Sequence, residues 1–324
     1  MVSGVPGSVD WWIGKLVDWA GKHILVTGAT GFVGHHLTRH LAQAGAEVWT
    51  TGLPNEQPPL GTTRHLSLDV RDADAVRAVV VEAAPQVVFH LAAAGVTNPG
   101  VDPALALAVN AGGTVHLLEA LRGQGVRRVV LAGTCYEYGA NQRVSESTNQ
   151  RLSVEGLDPF NAYAASKVAA WAFGRMYWRA HDLPVVTVRP FQVYGPGQVP
   201  HTLIPAAIRA ALSGEDFPMT PGEQERDFIY VEDVVEGMLA AAQAPGIEGQ
   251  SLDLGTGQAH TVRQVVERVW ALTEAQGRIL AGALPYRPAE VMRLSADAGR
   301  TARLTGWRAR MRLEEGLRRT IDQV

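Results

Sequence analysis

The sequence predicts an α/β fold built on a doubly wound parallel sheet, and three observations predict it. The apolar run His23-Ile-Leu-Val-Thr27 passes through a glycine turn into a helical stretch beginning at His35. Buried-strand runs and helical stretches then alternate regularly as far as Ala132, the pattern of parallel strands joined by crossover helices. The segment Asn161 to His181, rich in Ala, Arg, Trp and Met with no Pro and only Gly174, reads as a long helix.

Bulk properties bound the function. A chain of 324 residues is long enough for one large α/β domain or two smaller ones sharing a cleft. With 46% hydrophobic and 19% charged residues and a formal net charge of -3, neither disorder nor a general affinity for nucleic acid is expected. Cys135 is the single cysteine, so no internal disulfide or thiolate-cluster metal site can form, and a reducing, cytoplasmic setting is expected. Residues 1–20 form an extension whose Trp11, Trp12, Ile13, Leu16, Val17 and Trp19 suit a short amphipathic surface helix. Asp10, Lys15 and Asp18 interrupt its apolar run, so no membrane span is expected there.

Each element has a job. In Gly28-Ala-Thr-Gly31-Phe-Val-Gly34, Gly28 permits the tight turn, Gly31 lets a pyrophosphate approach the backbone, and Gly34 lets helix and strand pack closely. Strand, glycine turn and helix in that order begin a dinucleotide-binding βαβ unit, with phosphates on free N–H groups at the helix start. Thr30, Phe32, Val33 and His35 belong to the same expected site. The second strand, Glu47 to Thr51, ends at Gly52, where a carboxylate for the ribose 2′-hydroxyl of NAD is expected but none stands. Glu56 follows beyond Pro54 in an irregular loop, so NADP is favoured over NAD, with His35 or Arg64 available to face its phosphate. The strand from Arg64 to Leu68 leads to Asp69 and Val70 at the adenine; a helix from Ala73 follows, and then the strand Val87 to Ala93. There Leu91, Ala92 and Ala93 would pass the ribose, while His90 is expected to be a satisfied core histidine. A helix through Leu117–Ala120 and the strand Arg127 to Ala132 complete the alternation.

Reactive groups in open α/β sheets collect beyond the carboxyl ends of strands. Thr134, just past Ala132, is therefore placed to hydrogen-bond a substrate oxygen, and Cys135 is read as a passive pocket wall. Tyr163 and Lys167 are four apart on the predicted helix and point into the same space. An ammonium beside a phenol favours the phenolate, so the pair is expected to act as a proton donor and acceptor.

With the glycine motif, Thr134 and Tyr163-x-x-x-Lys167 in this order, the chain resembles an extended short-chain dehydrogenase/reductase of the sugar-nucleotide-modifying kind, from Gly21 to Val324. Further matching pieces are Asn110-Ala-Gly-Gly-Thr114, Arg189-Pro-Phe-Gln-Val-Tyr-Gly-Pro-Gly197, Arg226-Asp-Phe-Ile-Tyr-Val-Glu-Asp233, Leu254-Gly-Thr-Gly257 and Arg287-Pro-Ala-Glu290. The resemblance implies a Rossmann dinucleotide-binding domain over 21–190 and 231–259, and a smaller C-terminal α/β domain over 191–230 and 260–324 that clamps a nucleoside-diphosphate sugar. It implies that Thr134 orients the substrate, Tyr163 is the acid/base, Lys167 holds the nicotinamide ribose and Asn110 supports the proton relay. Pro190 would join the cofactor contacts; Cys135, Tyr136, Gln192 and Leu203 would join the substrate contacts. Arg226 and Arg287 supply guanidinium forks of the kind that pair with a pyrophosphate. A homodimer is also implied, and the stripe Val168, Ala169, Trp171, Ala172, Met176 is equally consistent with a dimer contact and with packing inside the domain.

A 4,6-dehydratase resembling this family would carry Asp-Glu directly after the threonine, where this chain has Cys135 and Tyr136. Hydride transfer at one carbon remains: reduction of a nucleoside-diphosphate 4-keto-6-deoxyhexose, to which the run Thr134 to Gly139 is the more similar, or 4-epimerisation with tightly held NAD. A non-catalytic dinucleotide-binding scaffold is the remote alternative.

Overall fold

The structure, a computed structural model, describes residues 19–98, 100–139, 156–287 and 290–324. The Trp-rich extension therefore falls outside the described residues, except that Trp19 is buried in the main core. The first half of the chain runs β1 (His23–Thr27), α1 (Phe32–Gln43), β2 (Glu47–Gly52), β3 (Arg64–Ser67), α2 (Ala73–Ala83), β4 (Val87–His90), α3 (Pro103–Ala106), a π-helical stretch Leu107–Gly112, α4 (Gly113–Leu121) and β5 (Arg128–Ala132). After a 3₁₀ turn (Cys135–Tyr138) come α5 (Ala162–His181), β6 (Val185–Pro190), β7 (Gln192–Tyr194), α6 (Leu203–Ser213), β8 (Phe217–Met219), β9 (Glu225–Tyr230), α7 (Val231–Gln243) and β10 (Ser251–Leu254). The chain closes with β11 (Ala259–Thr261), α8 (Val262–Thr273), β12 (Ile279–Ala281), β13 (Arg293–Leu294), α9 (Ala298–Thr305) and α10 (Leu313–Ile321).

Seven parallel strands form one sheet in the order β10-β6-β5-β4-β1-β2-β3. The order reverses between β1 and β4, which opens a crevice at their carboxyl ends. Apolar faces of α1 and α7 cover one side, through Leu37, Leu41, Val234 and Met238. α2, α4 and α5 cover the other, through Val76, Val80, Leu118, Leu121 and Tyr177. Smaller sheets lie apart from it: β9 pairs with β7, β11 and β13, and β8 with β12. Their core is separate and includes Tyr194, Ile208, Tyr230, Val265, Val269 and Leu317.

Local chemistry sets the ends. Asn161 caps α5 by accepting from the Ala164 N–H, and Asp72 caps α2 by accepting from those of Asp74 and Ala75. β4 stops at His90 rather than at the expected Ala93, because the backbone of Leu91 and Ala92 crosses closely over Gly28. The single helix expected through Leu117–Ala120 is preceded by a widened π turn at Leu107–Gly112, which buries Asn110 against the loop after β4. The span Pro103–Leu121 is long and apolar enough by composition to cross a membrane, and here it packs on α2 and α5.

Candidate active site

β5 and α5 bring together the three residues expected to carry the chemistry. β5 delivers Thr134 past its carboxyl end, and the first turns of α5 present Tyr163 and Lys167 on the buried face. The side chain of Thr134 lies beside that of Tyr163 and accepts from the Tyr136 N–H at 3.3 Å. The Lys167 ammonium lies 6.0 Å from the centre of the Tyr163 ring and donates to the Ala132 carbonyl at 2.8 Å. Burial pulls Lys167 down to about 8, against the nearby Glu137 carboxylate, which acts to raise it.

The expected lowering of the phenol is not seen. Burial pushes Tyr163 up, Glu137 and Cys135 push it further, and the neighbouring Thr134 side chain offsets only part. Desolvation wins, and the lysine beside the ring is itself destabilised as an ammonium by the same burial. Tyr163 is thus a neutral acid in this arrangement. The side chain of Asn110, implied to support the proton relay, is held in place: its amide protons go to Ser166 Oγ and the Ala94 carbonyl, and its oxygen accepts from the Ala94 N–H. It ties α5 to the loop after β4. Burial lowers His90 to about 3, and its ring sits between the hydroxyls of Thr27 and Thr114, as expected of a core histidine. Cys135 is buried and pushed up to about 12 by that burial, which suits a pocket wall and not a nucleophile.

A buried ionic network behind Thr134 escapes a reading of the sequence. Glu137 accepts from the Thr134 N–H at 2.9 Å and from Arg189 Nε at 2.7 Å, and both charged side chains are fully buried. Arg189 also donates to the Tyr138 hydroxyl, which donates in turn to Asp253 at 2.7 Å. Its guanidinium lies over the rings of Tyr138 and Trp171. The pattern of isolated residues holds no signal of this, because Glu137 and Arg189 are 52 positions apart.

The crevice fits a dinucleotide. Gly28 has φ +67°, and a Cβ there would sit 2.5 Å from the Ala92 nitrogen; one on Gly34 would sit 2.6 Å from the Gly28 and Ala29 carbonyls. Only glycine serves at these two positions. A Cβ on Gly31 would meet only the Gly28 carbonyl, at 3.3 Å. α1 begins at Phe32 with no side-chain cap and no acidic residue in its first turn, so the N–H groups of Phe32 and Val33 suit a diphosphate. His35 is exposed and its ring bonds the Gly31 carbonyl of its own helix; Arg64 pairs with Glu82 and lies over Trp49. Neither is held toward a ribose phosphate. Asp69, expected at the adenine, is bound on both oxygens by Arg71, which holds it below the usual carboxylate range. The Val70 carbonyl accepts from His116. Glu56 differs most from expectation: its carboxylate returns to the tip of β2 and accepts from the Thr30 hydroxyl at 2.6 Å and the Leu53 N–H at 2.8 Å. Pro190 ends β6, and Leu91 to Ala93 follow β4 at the crevice.

On the other side, Gln192 in β7 donates to the Tyr136 hydroxyl at 2.7 Å, and burial raises the Tyr136 phenol. Leu203 begins α6, partly buried on the smaller core. Arg226 is buried but already paired with Glu290 at 2.5 Å, and Arg287 is exposed. Arg226 acts electrostatically on Cys135 and Tyr136, which places it near the turn that follows Thr134. Asp227 accepts from Thr256, Gly257 and Ala296 and fixes the Leu254–Gly257 turn.

Comparison with known proteins agrees with this geometry. The family model described as NAD dependent epimerase/dehydratase family matches residues 24–255. The UDP-glucose 4-epimerase of Streptomyces lividans is 35% identical over 314 residues, spanning 89% of this chain and 91% of that protein. The structure of Thermus thermophilus UDP-glucose 4-epimerase in complex with NAD superposes with a TM-score of 0.81 at 30% identity, covering 93% of this chain and 98% of that one. TunA, an NAD dependent NDP-hexosamine 5,6-dehydratase involved in tunicamycin biosynthesis, superposes with a TM-score of 0.80 at 32% identity, covering 93% and 97%.

Proposed function

The chain belongs to the NAD dependent epimerase/dehydratase family, and from that premise we propose that it is a 4-epimerase of a nucleoside-diphosphate hexose. One observation carries the choice of chemistry: Thr134, Tyr163 and Lys167 converge, while the two positions after Thr134 hold a buried thiol and a phenol instead of an acid and a base. Hydride transfer at one carbon needs only the first group, and dehydration across C5 and C6 needs the second. The 4-epimerases among the relatives support this reading over the net 4-ketoreduction that the run Thr134 to Gly139 suggests.

When bound, a nicotinamide dinucleotide would supply the hydride acceptor and donor. The side chains of Thr134 and Tyr163 are neighbours, so a substrate hydroxyl entering beside them would meet both hydroxyls. Tyr163, neutral in this arrangement, must first release its own proton to solvent. As phenolate it would take the substrate hydroxyl proton on oxidation and, neutral again, return it on reduction, while Lys167 would offset the phenolate charge and hold the nicotinamide ribose. Glu137 keeps the Thr134 backbone in place. Gln192 and Tyr136 form the sugar-side wall, and Arg226 takes the diphosphate on release from Glu290. The implied homodimer belongs to this reading and is supported by exposed Leu105, Leu107, Phe173 and Met176 along α3, the π stretch and α5.

The test is incubation of purified protein, without added cofactor, with UDP-, dTDP- and GDP-hexoses, followed by NMR of the products. The C4 epimer of one of them is expected. Consumption of added reduced nicotinamide with a 4-keto-6-deoxyhexose, and no epimer, would favour the ketoreductase instead.

A further inference from the structure

We infer that Glu56 selects NAD over NADP, acting from the loop after β2 in place of the acid missing from the strand end. The inference rests on the reading that the glycine turn holds a nicotinamide dinucleotide. Folds of this kind bind the ribose 2′-hydroxyl with a carboxylate at the tip of the second strand, or a 2′-phosphate with a nearby arginine. In this chain the strand tip is Gly52.

The chain beyond Gly52 turns back on itself. The Glu56 N–H bonds the Leu53 carbonyl at 3.1 Å, with Asn55 at φ 73°, and this turn returns the Glu56 side chain to the strand end. Its Oε2 accepts from Leu53 N–H and from the hydroxyl of Thr30 in the glycine turn. A Cβ built on Gly52 would lie 2.7 Å from that oxygen and 2.6 Å from the Thr30 methyl. Gly52 lacks a positive φ, so its glycine is explained by space and not by backbone strain. The carboxylate occupies the room that a side chain at position 52 would need. Two anchors hold Oε2, which leaves Oε1 open among the described residues to accept from the ribose.

The surrounding charges agree. Arg64 stands opposite Trp49 at the far end of β3 and pairs with Glu82, while Arg71 is bidentate on Asp69. A 2′-phosphate would therefore meet a fixed carboxylate with the neighbouring guanidiniums committed elsewhere.

Binding of NAD⁺ and of NADP⁺ to the full chain, stripped of nucleotide and followed by isothermal titration, tests this without any turnover. Wild type should bind NAD⁺ at least about tenfold more tightly, a difference of about 1.4 kcal/mol. Glu56→Gln, at an exposed loop position, should melt as wild type does and bind the two nucleotides within about twofold of each other. Thr30→Val, which removes one anchor of the carboxylate, should narrow the preference by a smaller factor. Equal binding by wild type, or an unchanged ratio in Glu56→Gln, would overturn the role of Glu56 and leave the sugar chemistry standing. Binding of neither nucleotide would overturn the dinucleotide reading and this inference with it.

Discussion

Tyr163 and Lys167 are governed more by burial than by each other. Each is forced toward its neutral form, the phenol upward and the ammonium down to about 8. Tyr163→Phe should lower turnover by about 10²–10⁴-fold and leave dinucleotide affinity unchanged, as measured by initial rates and calorimetry. Lys167 also leaves a mark on stability. Its folded value of about 8 lies below the ordinary 10.5, so between those pH values the unfolded chain holds more protons. Stability from this residue must then rise with pH through that window, with the full penalty felt below it. The melting temperature of wild type minus that of Lys167→Met should accordingly increase from pH 7.5 to 10. Thr134, Tyr163 and Lys167 are legible in the sequence because their meaning depends on local spacing on one strand end and one helix. Glu56 is not, because its position depends on a turn at Leu53–Glu56 that brings a distant-looking side chain back to Gly52.

The 3₁₀ turn Cys135–Tyr138 is the element on which the site depends. Thr134 and Glu137 cap it reciprocally, and Arg189 of β6 neutralises Glu137 where no water reaches. Removing one partner of a buried pair leaves an uncompensated charge, so Glu137→Ala should cost about 3–5 kcal/mol in chemical denaturation. The double substitution Glu137→Val with Arg189→Met should recover most of that loss, because it removes both charges and keeps the volume apolar. Strands β1, β2 and β5 and helix α5 are legible from apolar runs and caps. The π stretch is not, since it follows from Asn110 reaching the backbone of Ala94 across the fold.

At the scale of the whole molecule, the sheet order puts the glycine turn, Thr134 and the first turns of α5 around one crevice, and β7 to β9 bring Gln192 and Arg226 to its far side. The parallel sheet is legible because its strands read as continuous apolar runs. The state of the second side is not, since the Arg226 pair with Glu290 joins residues 64 positions apart. The sequence favours a net reductase partly because no acid stands at Gly52; with Glu56 returned to that place, retained NAD and epimerisation form the more coherent account. The claim at its centre is that one hydride leaves and returns to C4. A nucleoside-diphosphate hexose carrying deuterium at C4, converted by the protein alone, tests it most directly by NMR of the epimer. Retention of the deuterium at C4 is predicted, and its loss to water during conversion would contradict the account.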